Sequence, residues 1–295
     1  MLDLRIESFL TVCKHGSYTR AAEELCITQP AVTQHIKALE KQYGCSLIEY
    51  QNRELRLTKP GEMFYKYAKN LKASETLIMK KLKEVNQEKK TLKFASTLTI
   101  GEFTLAPIMA DFIKQFHQYD ITMYVDNTEK VLKMLENGEI NFALVEGLFN
   151  RSDYEAKLFK LANFILIAPV NHPLVKKEKV VLDDLKQETI LLREKGSGSR
   201  AVLERGLYDL NYSLDHFGKL IELGNVNVIK NMVKKEIGMS FMYKDAAQEE
   251  ITRGELAQIK LADFEIRRGF NFIALKTCME QRELQQFFSF FNSAC

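Results

Sequence analysis

Over the first forty positions, apolar residues recur at helical spacing. Leu2, Ile6, Phe9, Leu10 and Cys13 form one stripe, which predicts a helix over 2–13 that Gly16 then breaks. Ser17 is suited to cap a second helix, 17–25, whose buried side is Ala21, Ala22 and Leu25. Thr28 caps a third, with Pro30 in its first turn, where a missing N–H costs nothing. Ala31, Val32, Ile36 and Leu39 face inward and Gly44 closes it. The period then shortens: Leu47-Ile48, polar Gln51-Asn52-Arg53-Glu54 and Leu55-Arg56-Leu57 predict a small hairpin with Arg53 at its tip.

From Pro60 a helical pattern resumes without interruption. Phe64, Ala68, Leu71, Glu75, Ile78, Leu82 and Val85 alternate steps of four and three. That is a heptad seam, and it predicts packing against a partner helix, with Glu75 as a weakened or register-setting layer. The other reading is an amphipathic helix lying on its own domain. Beyond residue 90 short apolar runs alternate with helical patterns. Strands are predicted at 92–96, 121–125, 140–145, 164–168, 189–192, 219–223, 239–242 and 270–274. Helices are predicted at 103–117 and 128–135, and after 199, 226 and 279. Such alternation predicts parallel sheets with helices on both faces.

The chain has 295 residues, enough for two or three domains. Charge is divided unevenly along it. Residues 1–90 carry 16 Lys and Arg against 11 Asp and Glu, while the remainder carries 26 against 28. A basic end joined to a nearly neutral body suggests a polyanion-binding module attached to something else. Five cysteines are scattered with no CxxC spacing, so reduced thiols are expected and structural zinc is not. The start, MLDLRIESFL, lacks the basic and apolar segments of a signal peptide, and no apolar run reaches the ~18 residues of a membrane span. A soluble, cytoplasmic protein is expected, with no membrane partner.

A short helix, a tight turn and a helix with a polar outer face make a helix-turn-helix. Gln29, Thr33, Gln34 and Lys37 are the outward set on the third helix; amides and hydroxyls there reach base edges and lysine reaches phosphate. Arg53 at the hairpin tip is placed for the minor groove. The segment SYTRAAEELCITQPAVTQHIKALEKQYGCSLIEYQNRELRLTKPG resembles the DNA-binding end of LysR-type transcriptional regulators, at nearly every position of that family's pattern. One departure stands out: where the family carries arginine before the hairpin, this chain has Tyr50. The candidate DNA contacts are Ser17, Arg20, Thr28, Gln29, Pro30, Thr33, Gln34, Lys37 and Arg53. The resemblance extends, less specifically, over LREKGSGSR (192–200), NHPL (171–174) and IGMSFM (237–242).

What the resemblance implies is an α/β chain with an N-terminal all-α winged helix-turn-helix over 1–58 and a linker and dimerisation helix over 59–90. A periplasmic-binding-protein-like effector domain would cover 91–295. Its first subdomain would comprise 91–161 and 267–295, its second 162–266, with a small-molecule cleft between. The family usually assembles as tetramers of two dimers on an interrupted palindrome, with RNA polymerase open as a further partner. In such α/β folds ligands lie beyond the carboxyl ends of the strands. There this sequence places Ser96, Thr97 and Thr99, then Thr128, then Glu146, then Arg193, Ser197 and Ser199. Hydroxyls and helix N-termini with a guanidinium suit a small anionic effector; Glu146 argues partly against one, leaving an amino acid-like effector as the fallback.

No GxGxxG follows the first strand, and no GxxxxGK[ST], HExxH or GxSxG occurs. No enzyme activity and no cofactor are expected. The rival reading, a solute-binding or transferase-like α/β protein with an incidental helical module, fails on the helix-turn-helix match. An architectural DNA binder with an empty regulatory domain stays open.

Overall fold

The computed structural model describes residues 3–51, 54–84, 90–276 and 281–294. The chain divides into two units, Met1–Gln87 with Glu136–Glu139, and Glu88–Leu135 with Ile140–Cys295.

In the first unit the helices are α1 (Leu4–His15), α2 (Tyr18–Glu24), α3 (Gln29–Tyr43) and α4 (Lys59–Glu84), with strands β1 (Ile48–Gln51) and β2 (Glu54–Leu57) before α4. Local chemistry sets each start. Asp3 accepts the Arg5 N–H at 2.9 Å and caps α1; Leu2 of the predicted stripe lies outside the described residues. Ser17 and Thr28 accept the N–H groups of Arg20 (3.4 Å) and Ala31 (3.3 Å). Gly16 and Gly44 end α1 and α3 in the left-handed conformation, at φ 60° and 66°. Phe9, Val12, Ala21, Ala22, Val32, Ile36, Leu39 and Leu47 form the core. The Glu40 carboxylate accepts the N–H groups of Leu47 (2.8 Å) and Ile48 (3.3 Å), tying α3 to the antiparallel hairpin.

The first turns of α4 depart from the predicted seam. Phe64 packs against Phe9 at 5.1 Å and Tyr43 at 5.0 Å, and Ala68 is buried. Because α4 follows the hairpin directly, its opening turns cover α1. The row left exposed is Met63, Tyr67, Leu71, Ile78 and Leu82. Val85 lies outside the described residues.

In the second unit one sheet runs through β3 (Lys90–Thr97), β4 (Tyr119–Asp126), β5 (Phe142–Val145), β6 (Tyr154–Ala168), β7 (Thr189–Leu192), β8 (Lys219–Glu222), β9 (Met239–Tyr243), β10 (Ala257–Ile259) and β11 (Ile266–Leu275). The order is β4-β3-β5-β11-β6-β9-β7-β8, with β10 pairing β6. The sheet is mixed, not all parallel. β3 runs parallel to β4 and β5, and β7 to β8 and β9, but β6 and β11 are antiparallel to each other and to their neighbours. β6 has 15 residues, about 50 Å at the usual rise. It pairs β9 of one parallel triplet and, over 154–164, β11, which in turn pairs β5 of the other.

The flanking helices are α5 (Met109–Gln115), α6 (Thr128–Glu136), α7 (Gly198–Asp209), α8 (Val226–Lys234), α9 (Lys244–Thr252) and α10 (Gln281–Ala294). The expected helix at 103–117 is two pieces, a π-helical stretch Ile100–Leu105 and α5; Pro107, which offers no N–H, stands between them. Phe94, Phe142 and Phe272 stack in series at 4.9 and 4.6 Å under Phe112, Phe287 and Phe291. Among the described residues no helix is long and apolar enough to cross a membrane.

Candidate nucleic-acid interface and effector cleft

Gln29, Pro30, Gln34 and Lys37 are exposed along α3 and Thr33 is half-buried. The Gln29 amide donates to the Thr33 hydroxyl at 3.0 Å, and that hydroxyl donates to the Gln29 carbonyl at 3.1 Å. The amide is thereby held while its oxygen stays open. The Ser17 and Thr28 side chains act as helix caps, and Arg20 is exposed on α2. Tyr50 is exposed on β1. Arg53 lies outside the described residues.

All eight candidate effector residues, Ser96, Thr97, Thr99, Thr128, Glu146, Arg193, Ser197 and Ser199, are buried. They come from the ends of β3, β5 and β7 and the starts of α6 and α7. The loop before α7 is drawn against β5 and α6. A Cβ on Gly198 would stand 2.4 Å from Thr128 Oγ1 and 2.6 Å from the Glu146 carbonyl oxygen, and one on Gly147 would stand 2.6 Å from Gly198 Cα. Glu129 N–H donates to the Gly196 carbonyl at 3.2 Å. Beside this contact, Thr128, Glu129, Leu132, Lys195 and Arg200 line a cavity of about 330 Å³.

The polar groups divide into engaged and unpartnered. Thr128 Oγ1 donates to the Glu146 carbonyl at 3.2 Å, and the Ser197 and Ser199 hydroxyls pair at 2.9 Å. Arg193 is held by Glu194 through two bonds, Nε to Oε2 at 2.8 Å and Nη2 to Oε1 at 2.9 Å. Arg200 bonds Glu204 at 2.8 Å and also Glu222. By contrast, Ser96 Oγ, Thr97 Oγ1 and Glu146 Oε2 are buried without a hydrogen-bond partner. Burial pushes the Glu146 carboxyl up to about 7; Arg193 and a hydrogen bond from Thr99 pull the other way.

Two neighbouring groups escape the sequence reading. Tyr243 OH and Arg268 Nε are also buried without partners. Tyr243 is the residue after the predicted end of its strand, and Arg268 precedes the predicted start of its own. The available signal was Arg268 itself, a charge at an inward position two residues from Phe270.

A family profile described as the LysR substrate binding domain matches residues 86–295. A second, described as the bacterial regulatory helix-turn-helix protein, lysR family, matches residues 4–62. The chain is 26% identical over 269 residues to the HTH-type transcriptional regulator CysL of Bacillus subtilis, covering 91% of this chain and 89% of that one. It is 31% identical over 269 residues to the HTH-type transcriptional regulator CfxR of Cupriavidus necator, covering 90% and 82%. In fold it is similar to the regulatory domain of CcmR from Synechocystis in complex with 2-PG. That match has TM-score 0.62 and 22% identity, over 70% of this chain and 97% of that one.

Proposed function

The chain belongs to the LysR family of transcriptional regulators, and from that premise we propose that it reads an interrupted palindrome as a dimer and answers to a small polar effector in the cleft of its second unit. Gln29 and Thr33 read base edges, Gln34 supports them, and Lys37, Arg20 and Arg53 set the protein on phosphate or groove. Ser17, Thr28 and Pro30 fix the helix starts that present them. The exposed row on α4 pairs two chains, and two such dimers form the tetramer usual in the family. The protein acts in the cytoplasm beside RNA polymerase and not as an enzyme.

The domain limits follow the same reading: 1–58 binds DNA, 59–90 links, and the effector domain divides at the strands β6 and β11. CcmR was solved with a small molecule, 2-PG, in the corresponding domain, which supports a ligand here. The observation that carries the proposal is the set of unpartnered buried oxygens on Ser96, Thr97 and Glu146. Each costs about 1–3 kcal/mol unless something supplies its bond, and a ligand does so. The test is thermal shift of the full chain against a panel of metabolites, with a Ser96→Ala, Thr97→Val variant beside it. The parent should be stabilised by a small polar compound and the variant should not. If both respond equally, the cleft is not the effector site.

A further inference from the structure

The effector reading also bears on what the cleft recognises, and the following inference rests on that reading. Leu144 of β5 lies opposite Phe272 of β11 and Val145 opposite Asn271, so Glu146 emerges next to Phe270. Leu144, Ile266, Phe270 and Phe272 all belong to the same core, which puts Glu146 and Arg268 on that face of the sheet. The Tyr243 ring meets Phe270 edge-on at 4.9 Å and Phe164 at 5.1 Å. Burial pushes its hydroxyl well above the ordinary phenol range; Glu146 adds to that shift and Arg268 opposes it.

Three strands thus bring a carboxyl, a phenol and a guanidinium together, and none bonds the others. Glu146 Oε2, Tyr243 OH and Arg268 Nε lack partners, and no hydrogen bond or ion pair of Arg268 is found among the described residues. The neighbouring arginines are occupied, Arg193 by Glu194 and Arg200 by Glu204 and Glu222. Among these arginines, Arg268 is the one left open to a ligand.

We propose that Glu146, Tyr243 and Arg268 form the head-group end of the effector site and bind an oxyanion, a carboxylate or a phosphate ester, with all three donating hydrogen bonds to it. Guanidinium and phenol are donors at any physiological pH. The carboxyl donates while it keeps its proton. The groups facing it are Arg193 from the end of β7, Thr99 from the turn after β3, Tyr243 from β9 and Arg268 from β11. The nearby carboxylate of Glu194 is bonded to Arg193. Burial outweighs the pull of Arg193, so the proton stays on below about pH 7. Oxyanion affinity should then fall about tenfold between pH 6 and pH 8, as the protonated fraction does.

The experiment is thermal shift of the full chain with sodium sulfate, a tetrahedral dianion standing for a phosphate ester, and with sodium lactate, a carboxylate. Both are titrated against sodium chloride at matched ionic strength, at pH 6 and pH 8. Sulfate also stabilises folded chains generally by exclusion, so the readout is the stabilisation that Arg268→Gln loses. Lost with sulfate alone, it assigns a phosphate-bearing effector, and with lactate alone a carboxylate-bearing one. Arg268→Gln should weaken the response at least tenfold, and Arg268→Lys, which keeps the charge, should recover part of it. Glu146→Gln should bind about equally at both pH values. The proposal is overturned if neither anion stabilises the parent, or if Arg268→Gln responds as the parent does. It is also overturned if ethanolamine stabilises instead, more strongly at pH 8, since Glu146 would then be binding a cation. If Ser96→Ala, Thr97→Val abolishes the response and Arg268→Gln does not, the effector cleft stands and only the head-group assignment falls. If neither variant changes it, the cleft reading itself fails.

Discussion

At Glu146 burial outweighs attraction, and stability should show it. Its carboxyl titrates at about 7 in the folded chain against 4.5 for the ordinary group. A raised folded pKa contributes stability that is complete below the unfolded value and is lost as pH rises through the folded one. Glu146→Gln, neutral throughout, should therefore gain on the parent by about 3 kcal/mol on going from about pH 4.5 to about pH 8. Urea unfolding at the two pH values measures this, and a constant difference would mean that the carboxyl is not desolvated. At Gln29 the prediction concerns DNA. Gln29→Ala should cost about 1–3 kcal/mol on the cognate site and little on other sequences. Lys37→Ala should weaken every sequence and flatten the salt dependence by about one unit. Competition binding at several salt concentrations separates the two, and undiminished discrimination in the glutamine variant would remove α3 from the reading role. These outward residues were legible because helix caps and periodicity are local: Ser17, Thr28, Pro30 and Gly44 fix the frame within a few residues of themselves. Tyr243 and Arg268 were not, because what gathers them is pairing between strands far apart in the chain.

Among the elements, α4 serves two purposes that a periodicity cannot separate. Its first turns complete the core of the DNA-binding unit through Phe64, and its later turns leave Leu71, Ile78 and Leu82 exposed. Phe64→Ala should destabilise the folded unit by about 3 kcal/mol, the lower range for losing a packed phenylalanine, since it is only half-buried. Leu71 is 52% exposed, so Leu71→Asp should leave the monomer's stability nearly unchanged. It should instead shift sedimentation toward monomer and abolish tight operator binding, because half-sites about 34 Å apart need a fixed pair of readers. A Leu71→Asp chain that stays dimeric would place the dimer contact elsewhere. The loop ahead of α7 is the second critical element. Gly198→Ala would drive a Cβ into the Glu146 carbonyl, which belongs to the backbone and cannot swing aside. It should part this loop from β5 and lower the midpoint of thermal unfolding by several degrees. An unchanged midpoint would show that the close approach of Gly198 is dispensable. The sequence caught only 164–168 of β6 and 270–274 of β11, and the rest of each long strand was missed for a physical reason. Glu155, Lys157 and Lys160 break the apolar run in β6, and its partner follows about a hundred residues later.

For the whole molecule, the two features that the proposal joins are the basic excess of residues 1–90 and the buried, half-satisfied polar cluster of the second unit. In the proposed function the first draws the chain to DNA through phosphate charge, and the second lets a small molecule bias the conformations available to the bound assembly. Such a bias requires the ligand to bind one arrangement better than another; a fivefold to hundredfold change corresponds to about 1–3 kcal/mol of coupling. The most direct measurement is DNase footprinting and fluorescence anisotropy of the full chain on a site selected from its own genome, with and without the compound that stabilises it. Parent and Ser96→Ala, Thr97→Val chains are compared. The parent should bind the site and change its footprint or affinity when the compound is added, while the variant should bind the same site with the same affinity and ignore the compound. A variant that responds to the compound as the parent does, or a parent whose DNA binding the compound leaves untouched, would contradict the account.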